Sequence, residues 1–436
     1  MNQTVEGLKR DIRRWDLVAL FINVTVGAGI FRLPSEVFRV AGAYSLFAFL
    51  ICAVIIGLII LCFAEVASRF TETGGPYLYG REAFGPAFGF MIGWLMWITR
   101  LAGFAALSDV LVVSLGYFWP LATIGLTRAA IITGMVILLT IINIIGVRES
   151  AIIGNIFTVS KLIPLLLFIG VGLFFINREN FQFQTRPNVA AFSNAVFVLV
   201  FMFSGFEAVL INSGEVRDPQ RNIPFALVTS LAAVGLLFIL VQVVCVGTLP
   251  ELASSERPLA DASSSFLGTR GASIIAAGAL VSVVGTMNAV FLACSRLPFG
   301  MAEQGQLPGL LLRTHRRFRT PYVAITVTAV AMLGLTLSGT FIYVLTLSTI
   351  TRVIVYAATC AALPVLRRRG SRPGSFKAPA GLAISVVCIA LCVWLLFNSG
   401  WQAARDVAIA VAFGFILYCA PGLVMFARNL RVWNKH

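Results

Sequence analysis

The sequence predicts an all-α, polytopic membrane protein of about twelve transmembrane helices. Of its 436 residues 59% are hydrophobic and 12% charged, where soluble proteins carry about 25% charged residues. Nearly uncharged runs of about 20 residues recur along the chain, each able to cross a hydrocarbon core of roughly 30 Å at the helical rise. The strict alternation that marks a transmembrane β-barrel is absent.

The runs fall at 15–40, 43–68, 84–116, 126–145, 151–176, 190–213, 225–249, 271–302, 320–338, 341–363, 379–398 and 404–426. The first contains Gly27 and Gly29 in "FINVTVGAGIFRLP", and the second ends on Glu65. The third and eighth are long enough to require tilt or extension past the bilayer. The third carries Arg100 and Asp109, the fifth Lys161, the eighth Arg296 and the tenth Arg352. In the sixth, "FVLVFMFSGFEAVLINSGE", Ser204 and Gly205 interrupt the apolar run and Glu207 follows. A short Ser-Gly-Thr turn separates the ninth from the tenth, and the last two look peripheral.

Orientation follows from charge. The start, "MNQTVEGLKRDIRRWD", lacks a small-residue cleavage site, so a cleaved signal peptide is not expected. Placing both termini in the cytoplasm puts most of the 33 Lys and Arg, including "HRRFR" and "RRRGSRPGSFK", on the cytoplasmic side, as the positive-inside rule requires. The expected location is the cytoplasmic membrane. The net charge of +15 is thus spread along membrane edges, and nucleic-acid binding is not expected. The eight cysteines sit singly inside apolar spans and read as packing residues. With His315 and His436 the only histidines, both in polar segments, no metal site, cofactor or catalytic set is expected, and the chain does not read as an enzyme.

A helix broken inside lipid leaves backbone groups unpaired at several kcal/mol each, unless protein, water or ligand satisfies them. The breaks at Gly27/Gly29 and Ser204/Gly205 therefore point to a cavity. A restarting half-helix offers free N–H groups and a positive dipole end to a carboxylate, while unwound carbonyls suit a cation. An amino acid zwitterion fits both. Close packing through small residues is the competing reading of either break alone. Breaks in the first and sixth spans, corresponding members of two five-helix halves, favour an inverted-repeat transporter.

These residues carry a family resemblance. In "GAGIF" (27–31), "FAEVASRFTETGGPYLYGREAFG" (63–85), "TVSKLIPLLLF" (158–168), "FSGFEA" with "GEVRDPQRNIPFAL", and "ACSRLPFGMAEQGQLP" (293–308), the chain resembles the amino acid-polyamine-organocation superfamily, especially its bacterial amino acid permeases related to the light-chain transporters. The resemblance implies a 5+5 inverted-repeat core with broken helices 1 and 6, two peripheral helices and alternating access. The parts are then a cytoplasmic segment 1–14, a first repeat 15–176, a second repeat 190–366, peripheral helices 379–426 and a tail 427–436. It places the substrate carboxylate on amides of Gly27, Ala28, Gly29 and Ile30. The amine falls on carbonyls of Thr25, Val26, Phe201 and Ser204, next to Gly205, with Phe201 as an aromatic lid. Phe206 either lines the side-chain pocket or packs.

The resemblance also puts Lys161 where sodium-coupled relatives hold a sodium ion. Its charge then stands in for that ion, or its protonation drives transport, so protons are the expected coupling ion if there is one. Glu207 joins this network, selects a cation or caps unpaired amides. Glu65 and the "TETGGPYLYG" loop read as gating elements, and Glu215, Arg217, Asp218 and Arg221 as intracellular ion-pairing groups. The expected function is sodium-independent amino acid transport, by proton symport or exchange, with a polyamine or organic-cation permease as the alternative.

Overall fold

The computed structural model describes residues 12–433, apart from 72–73, 146–150, 184–185, 212, 214–215, 319 and 371–373. Side chains are described outside 151–158 and 420–433. Among the described residues fifteen α-helices run in order: α1 Arg14–Thr25, α2 Gly29–Ala41, α3 Ser45–Ala67, α4 Pro76–Phe84, α5 Pro86–Leu115, α6 Gly125–Ile145, α7 Ala151–Gly172, α8 Val189–Met202, α9 Glu207–Ile211, α10 Pro219–Thr248, α11 Pro258–Glu303, α12 Tyr322–Ser338, α13 Phe341–Arg369, α14 Gly381–Phe397 and α15 Trp401–Trp433. Every one of the twelve expected spans is helical, the first as α1 with α2 and the sixth as α8 with α9. Seven stretches among the described residues are long and apolar enough to cross a membrane, and four shorter apolar helices accompany them. The protein is a multi-pass, all-α membrane protein.

Burial separates the core from its surroundings. α5 packs against α11 and α13 and is buried along most of its length, whereas α6 and α15 turn bare leucines, isoleucines and phenylalanines outward. Such exposure is unfavourable in water and is what a lipid-facing helix requires. α14 packs on α3 and α13 and touches α8, and α15 packs on α5 and α13.

Three boundaries differ from the sequence expectation. The "GGPYLYG" segment is not a plain loop: α4 begins there, with Pro76 in its first turn, where a missing N–H costs nothing. Gly75 precedes it at φ +55, and a Cβ there would stand 3.3 Å from Ile211, so a side chain would be both strained and crowded. α11 starts thirteen residues before the expected span at 271 because Gly268, at φ +63, joins an extra segment to it through a kink. α13 extends past 363 through three consecutive arginines, Arg367 to Arg369, in its last turn. Cations there complement the negative end of the helix dipole.

Candidate functional site

The first span is broken where the glycines stand. α1 ends at Thr25, Val26 takes a non-helical conformation, and α2 restarts at Gly29. The Gly27 amide turns back to the Thr25 carbonyl (2.9 Å) and the Phe31 amide to that of Ala28 (3.1 Å). The amides of Ala28, Gly29 and Ile30 have no acceptor among the described residues, as expected for the first turn of a helix. Beside them the Thr25 hydroxyl is buried and has no hydrogen-bond partner among the described residues.

The sixth span breaks over residues 203–206. The Phe203 amide still reaches Leu199, while Ser204 donates through both its amide (3.3 Å) and its hydroxyl (2.5 Å) to the Phe201 carbonyl. Gly205 adopts φ +113, and its amide donates to Glu207 Oε2 at 2.9 Å. Glu207 thus caps the second break, as one of the readings of its sequence position required. Its other oxygen accepts from the Tyr356 hydroxyl (2.7 Å) and Arg352 Nη1 (3.3 Å).

The two breaks fit against each other. A Cβ on Gly29 would lie 3.1 Å from Met202, and one on Gly205 would lie 2.9 Å from the Val24 side chain and 3.0 Å from its carbonyl oxygen. α1 packs on α9 and α2 on α8. Close packing and helix interruption were competing readings of these glycines, and here the same residues do both.

Between the breaks lies a cavity in which the centres of water-sized molecules have about 90 Å³ to occupy, several times the 10–15 Å³ that one water needs on that measure. Of the residues expected at the site, Thr25, Gly27, Ala28, Gly29, Phe201, Ser204, Gly205 and Glu207 line it. Val26, Ile30 and Phe206 do not, and all three side chains are fully buried elsewhere. Phe206 packs in an aromatic cluster with Phe21, Phe63 and Tyr356, so of its two readings packing is the one realised. The expected amine acceptors are unequal: the Phe201 carbonyl already accepts twice from Ser204, and that of Val26 accepts from Ser282 at 3.5 Å.

The rest of the wall escaped sequence reasoning. Met96, Thr99, Arg100, Gly103 and Leu107 present one face of α5, α11 adds Thr286 and Val290, and α13 adds Arg352 and Val355. The α5 spacing of three and four is that of a single helical stripe, but apolar residues surround α5 on every face and hide it. Arg100 and Arg352 stood out as charges at membrane depth; which face they occupy was not legible. Arg352 pairs with Glu207, whereas Arg100 has neither a salt bridge nor a hydrogen bond among the described residues. Asp109 pairs with Arg128 at 3.3 Å, away from the cavity lining.

Lys161 stands behind the cavity wall. Its ammonium is fully buried and donates to the Asn23 carbonyl (2.7 Å) and to Thr286 Oγ1 (3.2 Å). It thereby ties α7 to the unwound end of α1 and to α11. No carboxylate contacts it among the described residues.

Farther along, Glu65 is fully buried and accepts from Arg367 Nε (2.7 Å), Arg69 Nη2 (3.1 Å) and the Ala378 amide (2.9 Å). It joins α3 to the end of α13 and the segment entering α14. Tyr77 of α4 donates to Gln306 (3.2 Å) and Arg81 to Gln304 (3.2 Å). Asp218 and Arg221 approach only to 4.0 Å and are exposed, and Glu215 lies outside the described residues. The cysteines are single in sequence but not in space: the sulfurs of Cys62, Cys360 and Cys388 lie within 4.8 Å of one another, all buried, where α3, α13 and α14 meet.

Comparison with known proteins agrees with this architecture. A family model described as amino acid permease matches residues 12–425. The methylthioribose transporter of Bacillus subtilis (strain 168) is 27% identical, over 99% of this chain and 96% of that protein. The branched-chain amino acid permease BcaP of the same organism is 26% identical, over 95% and 93%. The arginine/ornithine antiporter of Pseudomonas aeruginosa is 29% identical, over 96% and 90%. These relatives are transporters rather than enzymes.

Proposed function

The chain belongs to the amino acid permease family, and on that premise we propose that it is a sodium-independent secondary transporter that carries an amino acid through the cavity between its two broken helices by alternating access. One observation carries the reading: the unpaired amides of Ala28 and Gly29 at the start of α2 and a buried Thr25 hydroxyl without a partner among the described residues border the same hollow. An unpaired polar group in a bilayer interior is costly, and a bound carboxylate relieves that cost at the positive end of α2.

The amine of the substrate falls toward the Thr25 and Ser204 side, because the Phe201 carbonyl is occupied twice over. Phe201, half-buried at the end of α8, covers that end of the cavity. The organic-cation alternative rested on Glu207 as a free acid, and here its carboxylate is committed to Arg352, Tyr356 and the Gly205 amide. Lys161 supports sodium independence: an ammonium bound to the Asn23 carbonyl repels a second cation from the same place. α1–α7 and α8–α13 form the two repeats, with α14 and α15 at the periphery and both termini in the cytoplasm. The pairing of α1 with α9 and α2 with α8 is what an inverted pair of broken helices produces.

The test is uptake of a labelled amino acid panel into proteoliposomes, with pH and sodium gradients imposed separately and with unlabelled substrate inside. Saturable uptake indifferent to sodium is expected. Stimulation by internal substrate identifies exchange, and stimulation by a proton gradient identifies symport. Uptake that requires sodium, or the absence of uptake for every amino acid, rejects the reading.

A further inference from the structure

Accepting the cavity as the substrate site, we propose that the transported amino acid is acidic and that Arg100 receives its side-chain carboxylate. The charges that border the hollow are two guanidinium groups, Arg100 and Arg352, and one carboxylate, Glu207. Arginine does not lose its proton in proteins. Glu207 is spent on Arg352, at 3.3 Å, with Tyr356 and the Gly205 amide taking its remaining acceptor capacity. Asp109, the other acid on α5, is held by Arg128. Arg100 is left without a salt bridge or hydrogen bond among the described residues, its Nε buried and unpaired; it shares only the longer-range field of Glu207 with Arg352, so the cavity carries one cation in excess.

Its position makes this costly. Arg100 lies fourteen residues into α5, roughly 21 Å along the helix and too deep to snorkel to either surface. A charge buried in such a medium needs a partner. The substrate's main-chain carboxylate is already provided for by the amides of α2, so the remaining cation calls for a second anionic group on the same molecule. Gly103, one turn along the same cavity face, carries no side chain to occupy the adjoining space. A lysine, an arginine or a polyamine would instead set a positive group beside two others. A small inorganic anion could share the chemistry of a carboxylate, and the experiment separates the two.

Reconstituted protein is tested for counter-substrate-stimulated uptake of glutamate and aspartate against their isosteric amides glutamine and asparagine, and against lysine, in chloride and in gluconate. Uptake of an acidic amino acid is expected, preferred over its amide by at least about tenfold in kcat/KM, the size expected for a charge-assisted hydrogen bond, and indifferent to chloride. Arg100→Gln is expected to reverse that preference and Arg100→Lys to keep part of it. Should the variants not fold, the wild-type acid-to-amide ratio decides alone. Uptake confined to neutral or cationic amino acids, or neutral uptake that depends on chloride, overturns the assignment of Arg100 and leaves amino acid transport standing. Absence of uptake for every amino acid, acidic, neutral and basic, overturns both.

Discussion

Lys161 holds the loose end of α1 through one carbonyl and one hydroxyl. Lys161→Ala removes both bonds and leaves the Asn23 carbonyl unpaired beside a void. Membrane insertion should persist while transport falls by an order of magnitude or more, read as uptake per inserted molecule; wild-type rates would refute the coupling role. Thr25→Val is the complementary change. It removes a hydroxyl that the folded protein leaves unpartnered, so stability in detergent should hold or rise by up to about 1 kcal/mol, while substrate affinity drops. Gly205 differs from both, because of its φ of +113 and because an added Cβ would stand 2.9 Å from Val24, which leaves no room for a methyl group. Gly205→Ala should cost about 1–3 kcal/mol, seen as a lower midpoint of thermal unfolding. At this scale the sequence was informative wherever chemistry was rare, as with a lysine, a glutamate or paired glycines inside apolar runs. It flagged Arg100 as a charge at membrane depth but gave it no role, because that depends on which neighbours carry a carboxylate.

Among elements, the junction of α3, α13 and the segment entering α14 rests on Glu65, which meets two arginines and a backbone amide. Replacing one member of a buried pair leaves the others uncompensated, although the partial exposure of Arg367 reduces the penalty. Glu65→Gln should therefore cost about 1–3 kcal/mol and loosen α13 against α3, measurable as faster amide exchange in the last turns of both. Glu65 stood out in the sequence as a carboxylate at a span end. Its partner Arg367 was not, because a run of three arginines reads equally well as a topological signal. α4 escaped notice for a different reason: a nine-residue helix entered through Gly-Gly-Pro carries the same local signals as a turn, and only its packing against α5 and α13 distinguishes them.

Across the whole molecule, a bilayer solvent inverts the usual segregation. α6 and α15 display leucine, isoleucine and phenylalanine outward, while Thr25, Thr99, Arg100, Ser204, Glu207, Thr286 and Arg352 turn inward to the space between the two breaks. Seven of the eight cysteines are buried, three of them clustered. A membrane-impermeant maleimide should leave those seven unmodified in the native protein and reach them after denaturation, and rapid native labelling at Cys62, Cys360 or Cys388 would contradict the packing of α14 on α3 and α13.

The sequence by itself determined that the chain crosses a membrane repeatedly, the approximate limits of its apolar helices, the two places where helix gives way and the charges too deep to be incidental. Each of these follows from local physics: the length of an apolar run, the weakness of glycine in a helix, the cost of an ion in hydrocarbon. Only the tertiary structure decided that the breaks face one another, that Glu207 is already satisfied and Arg100 is not, and that Phe206 packs while Phe201 borders the cavity. Pairing between residues about 145 positions apart, such as Glu207 with Arg352, depends on helix rotation. In a uniformly apolar helix no periodic pattern records which way a side chain turns.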